Sequence, residues 1–255
     1  MTPPMRAADP SRRAASSVSA STAPSTSKRA SPVPLASSGR TPTARRTVWT
    51  PRPLPSHLRG KCHTRGSVPR AASRWIERTY GPEARDEVLR ALPGELAEAY
   101  RGDGFNALVW YDIEALDTFL EAATALVFGG DVSAWRTLAR DQFDRELGPI
   151  FRSASRAGDP LSLLKRSVTA WPRLYDFANV RVSEGSNATG VAPNRATLRF
   201  EGFEAASVAL RNVTLGTAEG LLKSGGPLEI SSRIVVGETS FARDFELELA
   251  WRALP

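Results

Sequence analysis

Arg195-Ala-Thr-Leu-Arg-Phe-Glu201 alternates apolar and polar residues without interruption. In an extended chain this alternation turns the charged and hydroxyl side chains to one face and the three apolar ones, Ala196, Leu198 and Phe200, to the other. The first face suits water and the second suits a core. The stretch therefore predicts a half-buried strand of an antiparallel sheet.

The same two-residue period returns near the end of the chain, in Asp244-Phe-Glu-Leu-Glu-Leu-Ala-Trp251. It places four apolar side chains on one face: Phe245, Leu247, Leu249 and Trp251. Residues 180–183 and 228–236 carry similar apolar patterns, and a helical segment from Ala205 to Leu222 lies between the two pairs of strands. The C-terminal half therefore predicts the order ββαββ.

The chain before residue 180 has the three-and-four residue spacing of amphipathic helices instead. Ser67 to Tyr80 is one predicted helix, with Ser67 as its cap. Asp112 is suited to cap a second helix, from Ile113 to Phe128, which a pair of glycines ends. Together the two halves predict an α+β fold in which an N-terminal helical layer packs on the C-terminal antiparallel sheet.

Gly216 and Gly220 lie four residues apart in the helix predicted between the strands. Glycines at this spacing let a helix backbone approach another element closely. The chain has no apolar run of the roughly twenty residues that a bilayer requires, so the spacing indicates helix packing rather than dimerisation in a membrane. We therefore expect no membrane span and a cytoplasmic location.

The charges divide the chain into two parts. Residues 1–66 contain twelve Lys or Arg and a single acid, a net charge of +11, whereas residues 67–255 contain 22 basic and 26 acidic residues, a net charge of −4. Residues 1–64 are also rich in Ser, Pro and Ala, so we expect a disordered basic tail followed by a single domain over 65–255. Without the tail no basic stripe remains, which argues against specific nucleic-acid binding.

The tail leaves several functions open. Its arginine pairs are suited to loose phosphate binding, and its Arg-rich, Ser-rich and acid-poor composition also fits an organelle transit peptide. A twin-arginine export signal fits less well, because no apolar segment follows Arg12 and Arg13. A true start site further downstream in the gene would explain the composition equally well.

The sequence contains no familiar catalytic motif: it lacks the Walker lysine loop and the GxGxxG, HExxH, CxxC and GxSxG patterns. Its two histidines and one cysteine, His57, His63 and Cys62, lie in or beside the tail and lack a fourth metal ligand. Two acidic groups remain, Asp141, Asp144 and Glu146 in one and Asp244, Glu246 and Glu248 in the other. Both fit solvent-facing surfaces, so we predict no catalytic residue, no metal site and no cofactor.

Aromatic side chains are the remaining candidates for a site, namely Trp110, Tyr111, Trp171, Tyr175 and Phe177. A cavity between a helical layer and a sheet would suit a small apolar ligand, although aromatic residues more often fill a core. We expect Trp171, in the last turn of a helix before Pro172, to be buried at the joint between the two halves. The expected partners are a small apolar ligand or a protein, including a second copy of this chain as a homodimer.

The stretch Trp171-Pro-Arg-Leu-Tyr-Asp-Phe177, the helix with Gly216 and Gly220 and the final strand resemble a large family of myxobacterial domains of unknown function. Arg65-Gly-Ser67 is similar to the start of that family. The family in turn resembles vinyl-reductase-type small-molecule-binding domains, haem nitric-oxide-binding domains and TRAPP trafficking subunits. The resemblance implies helices packed on a four- or five-stranded antiparallel sheet, and a role in sensing, scaffolding or ligand binding.

The chain departs from two of these relatives at the residues that carry their chemistry. No histidine follows His63, so no position in the matching region supplies the proximal ligand of a haem, and there are no Cys clusters. We therefore expect a non-enzymatic small-molecule-binding or regulatory and sensory module with no metal. A protein-interaction subunit of the same fold is the main alternative, and a carboxylate-based enzyme is the third.

Overall fold

The computed structural model describes residues 49–50, 56–102, 104–146, 159–185, 194–226, 228–239 and 242–254. The chain separates into two units, Met1–Ala44 and Arg45–Pro255, and every described residue belongs to the second. Most of the predicted tail therefore lies outside the described residues. Helices and strands both occur, which confirms the mixed α and β class that the sequence predicts.

Seven α-helices and six β-strands make up the described part of the chain. The helices are α1 (Ser67–Tyr80), α2 (Pro82–Ala91), α3 (Gly94–Arg101), α4 (Ile113–Leu126), α5 (Ala134–Glu146), α6 (Pro160–Val168) and α7 (Val208–Ser224). The strands are β1 (His63–Arg65), β2 (Trp110–Asp112), β3 (Asn179–Glu184), β4 (Asn194–Glu201), β5 (Leu228–Val236) and β6 (Asp244–Ala253).

Local sequence signals account for where the helices begin. Asp112 caps α4 as predicted, because its carboxylate accepts a hydrogen bond of 2.8 Å from the backbone N–H of Glu114. Ser207 caps α7 in the same way. α1 differs from the prediction in one respect, since Gly66 occupies the cap position and Ser67 is already the first helical residue.

The larger sheet has four antiparallel strands in the order β3-β4-β6-β5. The central strands β4 and β6 pair along their length, with Phe200 opposite Phe245. As predicted, the apolar side chains of both strands are buried on one face. The other face carries paired charges, among them Arg233 and Glu248 at 2.5 Å. One face of the sheet therefore forms the core and the other faces water.

α7 packs against the buried side of the larger sheet and is itself buried along nearly its whole length. Its most extensive contact is with α5. A Cβ atom on Gly216 would lie 2.1 Å from the carbonyl oxygen of Arg136, and one on Gly220 would lie 2.9 Å from that of Arg140. The close backbone approach predicted at these two glycines is therefore confirmed.

A second sheet, for which the sequence shows no periodic pattern, involves residues at the expected end of the tail. β1 pairs antiparallel with β2, so that Thr64 lies opposite Tyr111. On its other side Thr64 bridges to Tyr175, and the N–H of Arg65 donates to the carbonyl of Leu174 at 2.8 Å. The boundary expected at residue 64 thus falls inside a strand whose partners come from two distant parts of the chain.

Residues before β1 also pack on the domain. Leu58 and Cys62 are buried, and Trp49 is half-buried against the hydrophobic core. Residues assigned to the tail by their composition therefore contribute to the core among the described residues. None of the described helices has both the length and the apolar character needed to cross a membrane.

Candidate functional site

Six aromatic rings pack together between the helices and the buried face of the larger sheet: Trp171, Tyr175, Phe177, Phe200, Phe203 and Phe245. We call this group the aromatic layer. Trp171 stacks on Tyr175 with ring centroids 4.2 Å apart, and Phe203 stacks on Phe245 at 5.0 Å. Phe200 connects the two stacks, at 5.2 Å from Trp171 and 5.3 Å from Phe245. The layer is thus a continuous set of ring contacts.

The aromatic layer brings together three of the five aromatic candidates from the sequence, namely Trp171, Tyr175 and Phe177. Trp171 contacts Phe200 of β4, so it lies at the predicted joint between the helical half and the sheet, but it is half-buried. α6 ends at Val168, and Trp171 begins a separate 3-10 helix rather than ending α6. Its indole N–H donates to the carbonyl of Phe177 at 2.8 Å, which fixes the ring.

The other two candidates lie elsewhere. Tyr111 belongs to a second aromatic cluster in the helical layer, where its ring meets Phe105 edge-on at 4.9 Å and its hydroxyl donates to the carbonyl of Gly104 at 2.9 Å. Trp110 lies beneath the guanidinium of Arg65, whose central carbon is 4.0 Å from the ring centroid. The five candidates are therefore divided among three places in the fold.

Asp117 of α4 is a buried carboxyl next to the start of α7. Its oxygens accept hydrogen bonds from Ser207, of 2.8 Å from Oγ and 3.2 Å from the backbone N–H. Burial raises the pKa of Asp117 to about 7, against the lowering effects of the Ser207 bonds and the charge of Arg211. No sequence motif marks Asp117 as a site residue, although it follows Ile113 by four positions on the apolar stripe of α4.

Arg211 of α7 is completely buried against the aromatic layer. Its central carbon lies 5.0 Å from the ring centroid of Phe203 and 5.1 Å from that of Phe245. Burial lowers its pKa to about 10, which leaves the group charged at neutral pH. Its N–H groups donate, at 2.8 to 3.3 Å, to the carbonyls of Phe203, Ala206, Gly237 and Ala242. Because these acceptors belong to loops, nothing in the sequence pattern identifies them.

A shallow depression of about 280 Å³ lies on the outer, charged face of the larger sheet. The acidic group of β6, formed by Asp244, Glu246 and Glu248, belongs to this face. Glu248 lies 2.5 Å from Arg233 and 3.6 Å from Arg195. Glu248, Arg233 and Arg195 line the depression, together with Ser231, Ser232 and Ala250. Glu248 and Asp244 are thus paired with arginines, and the lining of the depression is a mixture of charged, hydroxyl and alanine side chains.

The acidic group of α5 is also at the surface where its side chains are described. Asp141 lies 3.2 Å from Arg140, which precedes it in the helix. The side chains of Asp144 and Glu146 lie outside the part of the chain that the structure describes. The better-buried ion pair of this region joins Arg136 to Glu219 of α7 at 2.5 Å. It links the two helices where the glycines bring them together.

The cysteine and the histidines of the sequence are brought to separate environments. Cys62 is buried, and burial raises the pKa of its thiol to about 11. His63 points its Nδ1 atom to the carboxylate of Asp176 at 2.6 Å, and His57 is exposed. Within the described ranges no three His, Cys, Asp or Glu residues are grouped so as to hold a metal ion.

Comparison with known proteins identifies the fold. No protein-family model and no curated protein matches this chain. It is similar to the Fe(II) unliganded H-NOX protein from K. algicida, with a TM-score of 0.53 and 13% identity over 74% of this chain and 97% of that one. A point mutant of that protein gives 0.52 and 12% identity over 74% and 96%.

A further H-NOX structure, from work on haem distortion in that family, gives a TM-score of 0.51 and 16% identity over 75% of this chain and 95% of that one. These similarities define the class of fold: helices and sheet are arranged as in H-NOX, or haem-NO-binding, domains. The sequence resemblance names three related groups of domains. Of these, the haem-NO-binding domains are the ones whose fold this chain is similar to. At these identities the comparison speaks to the fold alone.

Proposed function

We propose that this chain is a non-enzymatic regulatory module that has the H-NOX fold and works without haem. The observation that carries the proposal is the aromatic layer, because side chains of the protein itself fill the space between helices and sheet. Phe203 and Phe245 are completely buried there, with the charged Arg211 against their rings. A large planar cofactor would have to displace these contacts.

Haem, which the similar structures concern, does not fit the residues present. Haem iron takes its protein ligand from imidazole, thiolate, thioether or phenolate groups. His63 is a partly exposed residue of β1 and does not belong to the aromatic layer. The buried thiol of Cys62 stays protonated because its pKa is raised. Burial, and then the charge of Asp117, raise the pKa of Tyr175, so its phenol also stays protonated. The described interior therefore offers iron neither a thiolate nor a phenolate at neutral pH.

The ligand that we infer is a small apolar molecule with an aromatic ring. Trp171 is the one half-buried ring of the aromatic layer, and the other five are buried. Its indole stacks on Tyr175 and meets Phe200 edge-on at 5.2 Å. A flat apolar molecule entering beside Trp171 would replace ring contacts with similar ones, and it would need no charged partner.

A protein-interaction subunit of the same fold is the second candidate, and one observation favours it. β5 is an edge strand of the larger sheet, and its residues Val235 and Val236 are 40% and 44% exposed. Exposed edge strands are able to pair with a strand of another chain. Arg136 donates to the carbonyl of Ser232 at 3.3 Å, which limits such pairing to the ends of the strand.

Titration of the purified full chain with haem and with the fluorophore 1-anilinonaphthalene-8-sulfonate, whose aromatic rings bind apolar sites although its sulfonate is charged, tests the proposal. We expect no shift or sharpening of the Soret band of free haem, and energy transfer from tryptophan to the bound fluorophore. The transfer should fall in Trp171→Phe and remain in the matched control Trp110→Phe, whose ring lies outside the layer. A shifted Soret band that saturates at one haem per chain would disprove the haem-free proposal. Equal transfer in both variants would disprove the ligand site.

A further inference from the structure

β5 leaves one side of the larger sheet open. Among the described strands it is bonded to β6 alone, at the end of the order β3-β4-β6-β5. It runs over Leu228–Val236 and contains no proline. Long edge strands without proline are able to pair with a strand of another chain. The direction of the backbone groups along β5 shows which residues such a pairing would use.

Hydrogen bonds alternate across an antiparallel sheet, and this alternation fixes the open side of β5. The N–H of Gly185 donates to the carbonyl of Arg195 at 3.0 Å, so the odd-numbered residues of β4 bond to β3 and the even-numbered ones bond to β6. Carried through the registers of β6 with both of its neighbours, the alternation turns the backbone of the even-numbered residues of β5 outward. These residues are Leu228, Ile230, Ser232 and Ile234. The carbonyl of Ser232 accordingly accepts from Arg136, at 3.3 Å.

The regular part of β5 is centred on Ser231. The register with β6 shifts after Ile234, and a bulge of this kind twists an edge strand away from a partner. The part that can pair therefore runs from Leu228 to Ile234. A second copy related by a two-fold axis pairs with it antiparallel, and uses all of it only when Ser231 of one copy lies opposite Ser231 of the other.

The charges on the outer face of β5 select the same alignment. With Ser231 at the axis, Glu229 lies opposite Arg233 of the second copy, and Arg233 lies opposite Glu229 of the second copy. An axis at Glu229 or at Arg233 would place like charges opposite each other. An axis at Ile230 or at Ser232 would leave both charged residues without a charged partner. One alignment thus suits both the length of the strand and its charges.

The charge pairs between copies would extend pairs that each sheet already contains. Glu229 lies 2.5 Å from Arg252, and Arg233 lies 2.5 Å from Glu248. A row across the joined sheets would therefore contain Arg252 and Glu229 of one copy, then Arg233 and Glu248 of the second copy, with charges that alternate in sign. The side chains of Glu229 and Arg233 are 54% and 72% exposed, so both are accessible to a partner.

Pairing would also cover apolar side chains on the inner face of β5. Leu228, Ile230 and Ile234 pack against the hydrophobic core but are only half-buried. In the alignment about Ser231, Leu228 lies opposite Ile234 of the second copy. The inner face would therefore gain apolar contacts where the outer face gains ion pairs.

Arg136 borders the open edge without preventing this alignment. It lies 2.5 Å from Glu219 of α7, so it adds no unpaired charge to the interface. Its bond to Ser232 occupies a carbonyl in the middle of the edge. The pairs at the two ends, which join Leu228 to Ile234 of the second copy, keep their backbone donors and acceptors.

We propose that two copies of this chain associate through antiparallel pairing of their β5 strands, with Ser231 at the two-fold axis, to form one continuous sheet. The proposal names the partner of the edge strand and does not depend on the ligand proposed for the aromatic layer. A stable interface covers about 800 Å² on each partner, and one pair of edge strands covers less. We therefore expect a reversible dimer whose fraction rises with protein concentration.

Sedimentation equilibrium of the full chain and of two charge-reversal variants tests the pairing. Opposite charges across the axis become two arginines in Glu229→Arg and two glutamates in Arg233→Glu. We expect each variant alone to dimerise about tenfold more weakly than the wild type. An equimolar mixture of the two should recover dimerisation, because each arginine then faces a glutamate. The matched control is Arg181→Glu on β3, at the other edge of the sheet, which should dimerise like the wild type.

Each other result overturns the proposal. A wild type that stays monomeric at the highest concentration would show that β5 does not pair. A dimer that neither reversal weakens would have another interface, and one that Arg181→Glu weakens equally would involve β3 or respond only to net charge. A mixture that stays monomeric would exclude the alignment about Ser231. Unchanged thermal midpoints verify that the variants are folded, and recovery in the mixture verifies it independently.

Discussion

Asp117 accepts a hydrogen bond of 2.8 Å from the hydroxyl of Ser207, although 90 residues separate the two in the sequence. The same hydroxyl accepts a bond from the backbone N–H of Leu210 and so caps α7. A carboxyl of the helical layer thereby positions the cap of the helix that covers the sheet. The two halves of the domain are joined by this polar contact as well as by the aromatic layer.

Asp117→Asn should flatten the dependence of stability on pH. The folded-state pKa of about 7 is higher than the ordinary value of 3.8, so the folded protein binds more protons than the unfolded chain between these values. The free energy of unfolding should therefore fall as the pH rises from about 4 to about 7, by up to about 4 kcal/mol. Asparagine cannot ionise, yet it can still accept from the N–H of Ser207.

Urea denaturation at several pH values measures this effect for Asp117→Asn. The matched control is Asp141→Asn, at a partly exposed carboxylate of α5, which should keep the pH dependence of the wild type. Parallel curves for Asp117→Asn and the wild type would show that Asp117 has an ordinary pKa in the folded state.

Arg211→Lys should destabilise the domain by about 3 kcal/mol, although it conserves the charge. The guanidinium reaches four carbonyls from a fixed planar fork, whereas an ammonium group has three donors around one atom and leaves buried acceptors without a partner. Arg199→Lys on the outer face of β4 is the control and should change the free energy of unfolding by less than about 0.5 kcal/mol. Similar losses in both variants would mean that the planar fork is unimportant.

Gly216→Ala should cost about 2 kcal/mol despite the better helix propensity of alanine. The added Cβ would lie 2.1 Å from a backbone carbonyl of α5, and an overlap with backbone is relieved only by separating the helices. Gly94→Ala in α3 is the matched control, because nothing lies within 4 Å of its Cβ position. Thermal unfolding should show a lower midpoint for the first variant and no loss for the second. A stable Gly216→Ala would mean that α5 and α7 move apart easily.

Trp171→Ala should cost about 2 to 4 kcal/mol, near the lower end of the range for large aromatic residues, because the ring is half-buried. It removes four ring contacts as well as the bond to Phe177. Trp110→Ala, outside the layer, should cost less than about 1 kcal/mol. Guanidinium denaturation of both variants checks the comparison, and equal costs would contradict the placement of Trp171 at the joint.

The central strands of the larger sheet were predictable because their alternation is a local property. Leu198 and Leu247 are buried as the two-residue period requires. The cap at Asp112 and the close approach at Gly216 were predictable for the same reason, since each depends on residues within a few positions. Asp117 could also have been found, because a charged residue on an apolar helical stripe must be buried once that stripe packs.

β1 could not be predicted in this way. Three residues are too few to show a period, and the composition before Gly66 is that of a disordered segment. The strand exists because β2 supplies partners on one side and Leu174 and Tyr175 supply them on the other. The interior around Arg211 was equally hidden, since its acceptors are loop carbonyls that any residue type would provide. Long-range contacts of this kind leave no mark on the local sequence.

The position of β1 between two later segments has a consequence for how the chain is made. His63 binds Asp176 across 113 residues. At a synthesis rate of about 5–20 residues per second, β1 leaves the ribosome roughly 6 to 23 s before its last partner. Thr64 and Cys62, both buried in the finished domain, remain uncovered during that interval. β1 is thus one of the first strands to be synthesised and among the last to be enclosed. Its enclosure requires residues 174–176, which are synthesised much later.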